Sequence, residues 1–140
     1  MASMVDTTSS ARSVNDIIAA LKGDVAAAPL EPLSAACEDM VSQVARNGDV
    51  AGEWALVRRV FALKMVQVLQ EYYTKRGFAG LKEHTFELRC EALLLLLDRF
   101  EDPPFTIQRF AEVLADASPY QSTHKLMNCF EKLLSVTTTV

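Results

Sequence analysis

From Trp54 to Tyr72 an apolar side chain recurs every three or four residues: Trp54, Val57, Val60, Phe61, Met65, Val68, Leu69 and Tyr72. Only a helix brings residues at that spacing onto one face. The stretch therefore predicts a helix from about Glu53 to Tyr73, long enough to organise a core. Lys75, Arg76 and Gly77 follow as end-of-helix cations and a glycine breaker, and Phe78 to Lys82 read as a loop.

The same period appears on both sides of this helix. Ile17, Ile18 and Leu21 predict a short first helix, Ser13 to Lys22, with Ser13 and Asp16 at capping-box positions. The alanine-rich, two-proline stretch Asp24 to Pro32 is a connector, and Pro32 is placed at the first turn of a helix carrying Leu33, Cys37, Met40, Val41 and Val44. Asn47 and Gly48 supply its left-handed stop. A fourth helix, Glu83 to Arg99, carries Phe86, Cys90, Leu93, Leu94 and Leu97 on one face. Leu95 and Leu96 widen that surface, which predicts a helix surrounded by others at the centre. Pro103 and Pro104 end it. Thr106 is placed to cap a fifth helix with Ile107, Phe110, Ala111 and Leu114. Asp116 to Ser122 is a turn, and Ser122 or Thr123 can cap a sixth helix with Leu126, Met127, Phe130, Leu133 and Leu134. The β-branched end, Val136 to Val140, reads as a short extended segment or a frayed tail. No useful run alternates with period two, and no repeat recurs at solenoid spacing. The fold expected is all-α: a single helical bundle of five to six helices with short loops over residues 13–140, after a Ser/Thr-rich disordered arm over residues 1–12.

Composition narrows the function classes. The 140 residues carry 14 Lys plus Arg against 18 Asp plus Glu, a formal charge of −4, which disfavours a broad footprint on nucleic acid or an anionic membrane. The most apolar run, Leu93 to Leu97, is hemmed in by Glu91, Asp98 and Arg99, far short of the roughly 20 residues of a membrane span. Cys37, Cys90 and Cys129 are odd in number and far apart, which suits a reducing compartment inside the cell. No phosphate-cradling glycine loop or nucleophile elbow is present. His84 and His124 stand far apart near predicted helix starts, and a site built from them and the cysteines would need tertiary coincidence. Glu87 and Glu91 have no Glu-x-x-His partner and read as a solvated face. Neither catalytic residues, nor a cofactor, nor a metal, nor a small-molecule substrate is expected.

Two features remain for binding. Arg58, Arg59 and Lys64 lie on the long helix with Lys75 and Arg76 near its end. This is a solvated basic face on the plain reading, and a contact for an acidic partner on the functional one. The pair of helices from Thr106 to Leu134 has about the size of a helix-turn-helix and carries Arg109, Lys125 and Lys132, but Glu112, Asp116 and Glu131 interleave with them and the turn is long.

The hexapeptide Pro104, Phe105, Thr106, Ile107, Gln108, Arg109, continued through Phe110, Ala111, Glu112, Val113, Leu114, Ala115 and Asp116, resembles the regulatory subunit 2 family of protein phosphatase 4. Tyr120, Thr123, Lys125, Glu131 and Lys132 downstream, and Phe86 and Phe100 upstream, keep that family's spacing. Further back, Ala45 to Gly48, Trp54 and the Phe61 to Lys64 helix are similar to it as well, so the resemblance covers about Leu33 to Val136. The turn Ala117 to Tyr120 departs from it by being one residue shorter and lacking arginines. The motif also has plain structural duties: prolines end one helix, Thr106 caps the next, and Phe105 can staple its first turn. The resemblance implies a non-catalytic regulator that binds the catalytic subunit of protein phosphatase 4, with a further scaffold subunit. It implies action in nucleus and cytoplasm and at the centrosome, on DNA-repair substrates among others. Arg58, Arg59, Gln108 and Arg109 are the candidate partner contacts, the last two as a polar pair on the exposed side of their helix. The alternative expectation is a small nucleic-acid-binding module built on the final helix pair.

Overall fold

The computed structural model describes residues 34–50, 52–77 and 83–139. The expected arm, first helix, connector and the loop after the long helix lie outside the described residues. Five helices are present among them: α1 Ala35–Asn47, α2 Trp54–Arg76, α3 Glu83–Asp98, α4 Ile107–Ala115 and α5 Thr123–Leu134. The bundle is all-α. Its only described β pairing is an isolated antiparallel bridge between Pro104 and Thr139, reinforced by the Phe105 amide donating to the Thr138 carbonyl at 3.0 Å. The β-branched end is thus an extended segment laid against the α3–α4 connection.

Local chemistry accounts for the boundaries. Ser34 caps α1 by accepting from the Cys37 amide, and Gly48, at φ +78°, takes the left-handed stop after Asn47. Ser122 rather than Thr123 caps α5, accepting from the Lys125 amide at 3.1 Å. At α4 the expected cap is different: Thr106 makes no capping hydrogen bond. Its hydroxyl donates instead to the Leu133 carbonyl at the end of α5, 2.7 Å away, and Phe105 stands 56% exposed rather than sealed over the first turn.

The centre of the bundle is α2, which packs against each of the other four helices. It buries Ala62 and Val66 as well as the stripe read from the sequence, because neighbours lie on more than one side of it. The central place expected for the leucine-rich helix is therefore corrected. Among the described helices α3 packs on α2 and α5 only, and leaves Leu88 and Leu95 at 48% and 57% exposure. Phe61, Phe86, Phe110 and Phe130 are fully buried. Phe110 links α4 to both neighbours, lying 5.7 Å from the Phe61 ring and edge-on to Phe130 at 5.5 Å.

Candidate partner-binding surface

The last carbonyls of a helix have no partner within it, and something else must satisfy them. Here side chains from other elements reach the end of every helix. Gln108 on α4 donates its amide to the Ala45 and Arg46 carbonyls of α1 at 3.2 and 3.3 Å. Thr123, buried at the start of α5, donates to the Gly77 carbonyl just past α2, 2.7 Å away. Arg58 and the Trp54 indole, both on α2, converge on the Phe100 carbonyl beyond α3, and Arg58 also reaches the Asp98 carbonyl. Tyr72 turns its hydroxyl to the Ala117 and Tyr120 carbonyls after α4. Arg99 donates to the Leu134 and Val136 carbonyls at the end of α5, beside the Thr106 contact. Bonds from charged donors to backbone carbonyls are stronger than neutral ones, and here each ties two elements together.

These clasps decide which cations can meet a partner. Arg58 spends its guanidinium on carbonyls and lies 3.8 Å from the Asp98 carboxylate. Lys64 pairs with Glu38 of α1 at 2.9 Å, and Arg76 bonds the Gln121 carbonyl while stacking on the Tyr72 ring. Arg59 is half-buried and is also engaged within the fold. The strip read as a solvated basic face is largely an internal fastening. Gln108 is likewise half-buried between α4 and α1, not on the exposed side of its helix. The four candidate contacts are not brought together: Arg58 faces the end of α3, Gln108 the end of α1, and only Arg109 stands exposed.

Arg109 sits on the rim of an open depression of about 450 Å3 between α4 and α5, with Lys125 and Lys132 also on its rim and Tyr120, Cys129 and Leu133 on its floor. The Arg109 guanidinium meets the Glu112 carboxylate at 3.2 Å and the Tyr120 hydroxyl at 3.4 Å, and Cys129 donates its thiol to that hydroxyl at 3.1 Å. Bonds to Glu112 and then Tyr120 raise the Arg109 pKa further, so the cation is permanent. Tyr120 also titrates above its ordinary value, first through its bond to Cys129 and then through desolvation, against a smaller opposite pull from Arg109. Sequence reasoning placed Arg109, Lys125 and Lys132 on one helix pair but missed Tyr120 and Cys129 as the floor between them. Those two face each other only because the turn at Asp116 to Ser122 folds back, and spacing carries no sign of that. A second depression of about 300 Å3, lined by Lys64, Glu71, Lys75, Arg76 and Asp116 among others, has mixed charge.

Among the described residues no histidine lines either depression. Among the described residues no three His, Cys, Asp or Glu side chains are grouped to hold a metal, and no helix is long and apolar enough to cross a membrane. The described geometry is that of a helical-bundle domain with two open depressions on its surface. The chain belongs to the PPP4R2 family, whose profile matches residues 32–140. It is 27% identical over 111 residues to the serine/threonine-protein phosphatase 4 regulatory subunit 2 of Drosophila melanogaster, covering 74% of this chain and 18% of that protein. The human protein of the same name is 27% identical over 110 residues, covering 74% of this chain and 26% of its own length. The Xenopus laevis form 2-A is 26% identical over 110 residues, covering 74% and 27%. The chain thus matches only about a fifth to a quarter of the length of these relatives, all of which are named as regulatory, not catalytic, phosphatase subunits. No solved structure gives a significant match.

Proposed function

We propose that this chain is a non-catalytic regulatory subunit of a protein phosphatase 4 complex, binding the catalytic subunit and a further scaffold subunit and modulating activity, targeting or substrate choice. The observation that carries the reading is the family match, which spans all five described helices. The fold supports it physically: helix ends locked by side chains from neighbouring elements make a rigid body, and a rigid surface loses less entropy on docking. Action in the nucleus, the cytoplasm and at the centrosome, including on DNA-repair substrates, belongs to the same proposal.

The test is a pull-down from cell extract with the 140-residue chain as bait, immunoblotted for the phosphatase 4 catalytic subunit and assayed for dephosphorylation, with the human relative as positive control. Recovery of active phosphatase supports the reading. Recovery by the human protein but not by the folded chain overturns it. Arg109→Glu is the informative variant of the four candidate residues, because Arg109 alone of them is exposed, while Arg58, Arg59 and Gln108 are half-buried and engaged within the fold.

A further inference from the structure

We propose that the depression between α4 and α5 is a docking groove for a carboxylate-rich, extended peptide segment of a partner protein. The chain is acidic overall, yet three cations gather on this rim: Arg109, Lys125 and Lys132. Most other arginines of the bundle are consumed by its own carbonyls and carboxylates, as at Arg58, Arg76, Arg89 and Arg99. Lys125 and Lys132 are different: both are exposed, and neither side chain has an ion-pair or hydrogen-bond partner among the described residues. The acid nearest them in sequence on α5, Glu131, is drawn off to Arg89 of α3 at 3.1 Å. Arg109 is paired with Glu112, but the positive charge of the two lysines is not cancelled locally.

The spacing selects the shape of the occupant. Lys125 and Lys132 are seven residues apart on one helix face, a rise of about 10 Å at 1.5 Å per residue. A peptide extended as a polyproline II helix rises about 9 Å in three residues and returns every third side chain to the same face, so carboxylates at every third position meet both lysines. Between them the floor is Tyr120, Cys129 and Leu133, which receives an apolar side chain lying between the acids. A nucleic acid fits less well: three cations on an acidic chain make a small phosphate footprint.

The proposal does not depend on the phosphatase reading, because its test contains no phosphatase. The purified full chain is titrated by fluorescence anisotropy against a labelled peptide repeating Glu-Val-Thr, with the matching Lys-Val-Thr peptide, duplex DNA and inorganic phosphate run in parallel. The expected result is saturable, salt-sensitive binding of the Glu peptide alone. Lys125→Glu with Lys132→Glu should weaken it about tenfold or more and confer binding of the Lys peptide, since rim charges act through complementarity. Both lysines are exposed, and circular dichroism of the double variant verifies the fold. Absence of binding, equal binding by the double variant, tighter binding of duplex DNA, or displacement by phosphate at concentrations matching the peptide would each overturn the proposal.

Discussion

Gly48 and Gln108, sixty residues apart in sequence, share one space: a Cβ at Gly48 would stand 3.0 Å from Oε1 of Gln108. The glycine does two things at once. At φ +78° it makes the left-handed stop of α1, and by lacking a side chain it leaves room for the amide that holds the Ala45 and Arg46 carbonyls. Gly48→Ala should cost about 1–3 kcal/mol from the positive φ and the contact together. Gln108→Ala should cost about 1 kcal/mol. Chemical denaturation of the double variant checks the relationship. Its loss should be smaller than the sum of the two by about 0.5 kcal/mol or more, because truncating Gln108 relieves the contact.

Tyr72 has one hydroxyl proton facing two carbonyls, those of Ala117 and Tyr120, which makes it the fastening of the α4–α5 turn to α2. Tyr72→Phe keeps the ring under Arg76 but strands both acceptors, and should cost about 1–2 kcal/mol. Calorimetry should show a fall in Tm of roughly 3–6 °C. An unchanged Tm would mean that water satisfies the turn equally well.

Thr123 is a buried polar side chain whose hydroxyl is committed to the Gly77 carbonyl, at the far end of α2 from its own helix start. Thr123→Val preserves shape and removes only the donor, so a loss of about 1 kcal/mol reports that bond, while Thr123→Ser should retain most of the stability. Greater destabilisation by Ser than by Val in urea titrations would show that packing, not the hydroxyl, matters there.

The three thiols should react unequally. Cys90 is buried in the core, and desolvation, with a smaller contribution from the nearby Glu87, pushes its pKa far above the ordinary thiol value. Cys37 and Cys129 are only half-buried. Native alkylation with iodoacetamide followed by mass mapping should label Cys37 and Cys129 and leave Cys90 unmodified until denaturant is added. Early labelling of Cys90 would contradict the packing of α3.

Asp116 should titrate below its ordinary 3.8, because the Ser118 side chain and then the Ser118 amide, 3.0 Å from its carboxylate, favour the charged form. With the folded value depressed, its contribution is complete above the unfolded value and disappears as pH falls through the folded one. An NMR titration should place the midpoint below 3.8, with Ser118→Ala raising it part of the way and leaving the amide bond. A midpoint at or above 3.8 would show that the turn is not closed by this contact.

The helices were legible because burial imposes a period: the described residues of the stripes read on all five helices are buried or pack against the core, and Gly48, Ser122 and the paired prolines mark boundaries by local chemistry, whereas Ser34, which the periodicity did not single out, caps α1. The leucine run of α3 misled about position, since five successive leucines fill every side of a helix whether or not neighbours cover them. Leu95 shows that they do not. The candidate surface was half legible. Arg109, Lys125 and Lys132 were already together on the final helix pair, whereas Arg58 and Gln108, chosen as exposed contacts, proved to be fastenings.

Local periodicity, capping residues and the family motif, all contained in the order of the residues, determined that this chain is an all-α bundle related to phosphatase regulators. Tertiary structure alone decided which helix is central, which polar side chains close the helix ends, and which cations remain for a partner. The reason is that a clasp's acceptor is a backbone carbonyl, which every residue carries alike. Until the fold brings Gln108 to Ala45 or Arg58 to Phe100, nothing in the sequence distinguishes a side chain that meets solvent from one that meets its own chain.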